Sequence, residues 1–244
     1  MKQRGLFSMV TACVVALVGA FVVSSVQAAD VGKAVVRSIR GSAQYAAEGG
    51  LWLPLKVGQV LKPGSTVRTA NDSQVDLFMD QNGPIVRLVE NTTLGIDKLN
   101  FEATGIDTII ETQLDLKSGR IVGIVTKMAA TSKYEIKTPN GVAGIRGTEY
   151  DISATSVVRV VSGSLVVVYV KSDGTVVTRV VNAGEMFVPA EGEVKPMPPD
   201  QRAQVVPEIN DVRSGGAPVA ELKVAEPIRI FVSPLTGENS SIRQ

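Results

Sequence analysis

Thr138-Pro139-Asn140-Gly141-Val142-Ala143-Gly144-Ile145-Arg146-Gly147-Thr148-Glu149-Tyr150 gathers the residues with the most chemical potential in the chain. Arg146 stands between Gly144 and Gly147, with Glu149 and Asp151 as its nearest acidic neighbours. Glycines at this spacing let two backbones approach closely or permit left-handed geometry. A guanidinium placed among them has two uses. It can be buried and paired, fixing a tight corner with Glu149, or exposed, as an anchor for an acidic group. The corner is the expected role and the anchor its alternative.

Other chemistry is narrowed by what the chain lacks. It has no histidine, which removes Ser-His-Asp and Cys-His catalysis and the commonest transition-metal ligand. Its one cysteine, Cys13, lies in an N-terminal apolar run, so the remainder has no disulfide, thiolate metal site or thiol nucleophile. Glu90, Asp97, Glu102, Asp107, Glu111 and Asp115 are scattered and read as solvated strand faces and loops, not as an acid–base pair. Asp72, Asp76 and Asp80 recur every four residues but lack the glycine and glutamate of a calcium loop. Trp52 reads as a core or edge plug. No cofactor, metal or catalytic residue is expected. The 25 basic and 24 acidic residues leave a net charge of +1, without the basic excess of a nucleic-acid binder.

The elements that position the central segment are short strands. Hydrophobic residues make up 44% of the 244-residue chain, enough for a substantial core. Alternation is plain in Val75-Asp76-Leu77-Phe78-Met79 and in Ile85-Val86-Arg87-Leu88-Val89. Turn signals at Pro63-Gly64, Asn82-Gly83-Pro84, Ser118-Gly119, Asn140-Gly141, Ser162-Gly163, Asp173-Gly174 and Ala183-Gly184 divide residues 31–189. This predicts an all-β domain, a sandwich or a solenoid-like roll, with little helix after residue 28. Residues 157–161 and 165–170 are expected to form one hairpin, and 165–170 with 176–181 the next. Their valine runs suggest strands buried on both faces.

Two ends flank this domain. Lys2 and Arg4 precede an apolar run over residues 6–26, and Val26 and Ala28 fit a secretory cleavage site. Residues 1–28 are therefore read as a signal peptide, with an uncleaved membrane anchor as the alternative. Either way the functional part is expected to be exported, periplasmic or secreted. Eight of the twelve prolines lie from Pro189 onward, so residues 190–244 read as a proline-rich, largely irregular tail. One short strand is plausible at residues 227–232.

The central segment resembles the signature of the FecR domain family, through Thr138, Pro139, Gly144, Arg146, Gly147, Thr148 and Glu149, with Tyr150 in the aromatic slot. Gly58-Gln59-Val60-Leu61-Lys62-Pro63-Gly64-Ser65-Thr66-Val67-Arg68-Thr69 upstream, Leu116-Lys117-Ser118-Gly119-Arg120, and Val160-Val161-Ser162-Gly163-Ser164-Leu165 with Asn182-Ala183-Gly184-Glu185 downstream extend the resemblance over residues 35–190. It implies a β-rich exported module used for protein contact or sensing. Namesake FecR proteins place a cytoplasmic sigma-factor-contacting domain before a membrane helix. About five residues precede the apolar run here, so sigma-factor control is not expected to carry over. The expected partner is an envelope or outer-membrane protein. A structural envelope component, with the β domain as a spacer, is the alternative, as is a membrane-anchored signalling protein if the N-terminal segment stays uncleaved.

Overall fold

The computed structural model describes residues 29–82, 85–104 and 107–215. In chain order the strands are β1 (Asp30–Val31), β2 (Ala34–Arg40), β3 (Ala43–Ala46), β4 (Leu53–Pro54), β5 (Val60–Leu61), β6 (Thr66–Thr69), β7 (Gln74–Phe78), β8 (Ile85–Leu88), β9 (Thr93–Ala103) and β10 (Thr108–Ser118). They continue as β11 (Arg120–Ile124), β12 (Lys133–Thr138), β13 (Gly141–Ile145), β14 (Glu149–Ser153), β15 (Val158–Ser162), β16 (Ser164–Val170), β17 (Val176–Asn182), β18 (Glu185–Val188) and β19 (Glu193–Pro196). A single helix, α1 (Pro199–Ser214), follows among the described residues.

The strands form two sheets, ordered β17-β16-β13-β12-β10-β9-β6-β3-β4 (with β1 on β9) and β19-β18-β15-β14-β11-β8-β7-β2-β5. Both orders run from one end of the chain to the other. The molecule is thus a sandwich in cross-section, while the chain advances along it as in a roll. Among the described strands only β10 and β12 pair in parallel. Leu77, Leu94, Leu114, Ile136, Ile152 and Phe187 lie between the sheets with almost no exposure. Two buried tyrosines meet there, Tyr134 from β12 and Tyr150 from β14. Tyr150 Oη has no hydrogen-bond partner among the described residues.

Burial pushes both phenols above their ordinary pKa, with the mutual interaction adding to the effect at Tyr150. An acid whose folded pKa is raised keeps its proton when folded and loses it when unfolded. Its stabilisation is therefore complete below the ordinary tyrosine pKa near 10 and is lost as pH rises above it. Urea unfolding between pH 9 and about 11.5 is expected to show stability falling by up to roughly 1.4 kcal/mol per pH unit for each such tyrosine. Tyr134→Phe/Tyr150→Phe should flatten that slope.

Three expectations change. The stretch 157–170 is not a hairpin: β15 lies in the nine-stranded sheet and β16 in the ten-stranded one, with Ser162-Gly163-Ser164 crossing between them. The second expected hairpin does form, with Leu165 opposite Val181 and Val168 opposite Thr178. Nor are the valine strands buried on both faces. Leu165, Val167, Val177 and Val181 point inward, whereas Val166, Val168, Val170, Val176 and Val180 face out and are exposed. The runs look continuous in sequence because valine fills both faces of a strand whose outer face is uncovered.

The third change is the tail. Residues 193–214, expected to be irregular, form β19 and the 16-residue α1. Pro199 occupies the first helical position, where its missing N–H costs nothing. Gly215 closes the helix in the left-handed region at φ 87°, its N–H donating to the carbonyls of Asp211 and Val212. Val205, Ile209 and Val212, spaced i, i+4, i+7, are buried against Ile85 and Val122. The remaining tail, with the strand expected at 227–232, and the signal segment 1–28 lie outside the described residues.

Candidate functional site

The signature residues are not one cluster. Thr138 and Pro139 sit at one end of β13 and Arg146 to Tyr150 begin at the other. Five strand residues lie between, roughly 15 Å at strand rise. At the first end Thr138 Oγ1 lies 2.7 Å from Ser156 Oγ, tying the β12–β13 turn to the β14–β15 turn of the other sheet. Gly144 faces outward on β13, opposite Glu135 and Val166.

At the second end Arg146-Gly147-Thr148 carries the chain from one sheet to the other. Ser162-Gly163-Ser164 crosses back beside it. The two crossovers nest: a Cβ on Gly163, at φ 78°, would collide with the Gly147 carbonyl and lie 3.1 Å from the Thr148 Cα. Buried Thr148 donates its hydroxyl to the Ser164 carbonyl at 2.6 Å. Gly147 also adopts a positive φ of 68°. The corner is therefore held by Thr148, not by an Arg146–Glu149 pair. Glu149 pairs with Arg213 of α1. Arg146 is exposed and makes no hydrogen bond or ion pair among the described residues. It lines a shallow cleft with Thr126, Lys127, Glu149 and Ser162. Tyr150, the aromatic slot, points into the core.

Trp52 is neither core nor sealed at the edge. It precedes edge strand β4, is 37% exposed, and stacks under the Arg68 guanidinium 4.0 Å above its ring.

The most developed polar arrangement lies elsewhere, on the outer face of the nine-stranded sheet. Register places Ser38, Asp76, Arg87, Val122, Asp151 and Arg159 side by side across six strands. Arg87 Nε and Nη2 donate to the two Asp76 oxygens at 2.6 and 2.9 Å, and Ser38 donates to Asp76 at 2.8 Å. Arg159 donates to the other Asp151 oxygen from that paired with Arg120, at 3.0 Å. Helix α1 lies over this row. Asp211 takes Arg87 Nη1, Glu208 accepts from both Nη atoms of Arg120 at 2.9 and 3.1 Å, and Gln201 accepts from Arg159 Nε at 2.8 Å.

Asp76, Arg87 and Asp151 are no more than 2% exposed. Burial works against the charge of Arg87, but the hydrogen bonds and charges of Asp76 and Asp211 outweigh it and hold its pKa above the ordinary value. At Arg120, burial is likewise outweighed by the Asp151 charge and the Glu208 hydrogen bond. Every carboxylate of the row faces a guanidinium. Among the described residues no group of three or more His, Cys, Asp or Glu side chains is placed to hold a metal.

Sequence reasoning passed over this row. Its signal was present: Asp76, Arg87, Asp151 and Arg159 each stand between two apolar residues of their strands, alternating in sign. Such residues read as a solvated face unless something is known to cover them.

The fold is a two-sheet β sandwich whose glycine motifs build crossovers and whose buried charges are mutually paired. Residues 65–166 match the family described as FecR protein, a regulatory and sensing family, so that stretch of the chain is a FecR domain. The match covers β6 to β15 and the start of β16. It includes the sheet-borne charge row apart from Ser38, and leaves α1 outside. Comparison with curated proteins and with solved structures gives no match.

Proposed function

We propose that the chain is an exported, non-catalytic interaction or sensing module of the bacterial envelope. The observation that carries this reading is the contrast among its arginines. Arg87, Arg120, Arg159 and Arg213 are all spent on carboxylates within the fold, whereas Arg146, which like Arg37, Arg40 and Arg202 has no carboxylate partner among the described residues, is set apart by its place on a nested crossover. A guanidinium on a fixed corner, beside Lys127, suits an acidic group on another protein. The FecR match supports a sensing role, and the N-terminal residues read as a secretory signal support export.

Arg146→Ala is expected to leave the urea unfolding free energy within about 0.5 kcal/mol, as for a surface residue. The same variant should lose the envelope protein that copurifies with the wild-type chain from a periplasmic extract. Equal recovery of that protein by both chains would remove Arg146 as the anchor. A stability loss of several kcal/mol would return it to a structural role.

A further inference from the structure

We propose that the arginine row on the nine-stranded sheet is a docking site for an acidic amphipathic helix of a partner protein, which α1 occupies in cis as a latch. This deepens the interaction-module reading and rests on it.

The row is complete without its cover. With α1 removed, Arg87 keeps both oxygens of Asp76, and Arg120 and Arg159 share Asp151. The sheet therefore leaves no arginine without a carboxylate contact, Asp151 being shared, and has no reason to unfold. What it would present is three guanidiniums against two carboxylates, with the donors now facing Asp211, Glu208 and Gln201 set free. Beside them runs an apolar strip of Ile85, Val122, Ile124 and Val161. Charge and shape together call for a helix with apolar residues at i, i+4 and i+7 and carboxylates at i+3 and i+6. That is the pattern of Val205, Glu208, Ile209, Asp211 and Val212 in α1.

The cover is attached more by charge than by apolar packing. It buries three apolar side chains, and its N-cap, Pro198, makes no side-chain cap hydrogen bond. Pro207 inside the helix has no N–H to donate. A segment with few buried contacts opens at low free energy while the sheets stay closed. A partner helix of the same pattern then competes for a surface that is already organised, and the arginine forks give it register.

The test uses the purified full chain and a fluorescent peptide spanning residues 198–215. In Glu208→Gln/Asp211→Asn, α1 amides are expected to exchange hydrogen at least tenfold faster than in the wild type, with exchange in β10 unchanged. The wild-type peptide should bind this variant at least tenfold more tightly than it binds the wild-type chain. A peptide carrying the same two substitutions should bind at least tenfold more weakly. The proposal fails if the variant's α1 opens and the peptide still does not bind, or if α1 exchanges as slowly as β10 in both chains. It fails also if the variant forms a dimer that the peptide does not dissociate, since the occupant would then be a second copy. None of these readouts involves Arg146, so they succeed or fail separately from the copurification experiment.

Discussion

Gly123→Ala is expected to destabilise the protein by about 3 kcal/mol, at the upper end of overpacking costs. Gly123 sits on β11 directly opposite Tyr150 of β14. The phenol ring lies across the space that a side chain would fill: a Cβ would come 2.9 Å from Cε1 and closer still to Cζ and Oη. Neither side can yield cheaply. Tyr150 is fully buried, with Tyr134 entering from the facing sheet, and Gly123 is held in two antiparallel ladders, to Tyr150 and to Val86. The urea midpoint should fall with little change in slope. Tyr150→Phe should cost little by itself, because its hydroxyl has no hydrogen-bond partner to lose. It should not rescue Gly123→Ala, since Cζ and Cε1 remain in the way. Tyr150→Leu, which removes the ring, should cost 2–5 kcal/mol or about that in the wild type and distinctly less in the alanine background. That coupling, on the order of 1–3 kcal/mol, is the signature of one shared volume.

This pair also marks where sequence reading stops. Tyr150 was legible as the aromatic position of the FecR signature, but its counterpart Gly123, 27 positions earlier, was not, because register across a sheet is a tertiary fact. The same limit governs the crossovers. Ser162-Gly163-Ser164 has the composition of a hairpin turn, and local chemistry cannot distinguish a chain that doubles back in one sheet from one that steps to the other. What decides is the neighbouring crossover at Gly147, against which Gly163 must fit. The strand pattern itself was readable, since alternation in Val75-Asp76-Leu77 or Val86-Arg87-Leu88 is local.

Helix α1 was hidden by the proline content of its surroundings. Pro196, Pro198, Pro199 and Pro207 argue for irregular chain if counted. Placed, Pro199 begins the helix and Gly215 ends it, and Val205, Ile209 and Val212 give the stripe. Only three residues mark that face as apolar because its polar contacts are two carboxylates and an amide on arginines, and Arg213 on Glu149. A period of 3.6 sought in hydrophobicity alone misses a helix that docks half by charge.

Arg87→Ala is expected to cost about 3–5 kcal/mol, the range for removing one member of a buried ion pair. Asp76 would be left without its guanidinium in a site only 1% exposed, with Ser38 as its one remaining donor among the described residues. Asp76→Ala should cost a similar amount by leaving the buried guanidinium with Asp211 alone. Arg120→Ala should cost less, because Arg120 is about a third exposed and Asp151 keeps Arg159. Removing both partners is a different experiment. Asp76→Leu/Arg87→Met should recover most of the loss, since well-packed apolar residues replace a buried pair at little net cost. If the row served stability alone, this double variant would be equivalent to the wild type in every respect. It is expected instead to unfold at nearly the wild-type urea concentration yet to exchange the amides of α1 faster, because Asp211 has lost its arginine. The charge row would then be separable from the stability of the sheets and tied to the placement of the helix. That outcome accounts for charges within β7, β8, β14 and β15, where β-branched residues would have served the sandwich equally well.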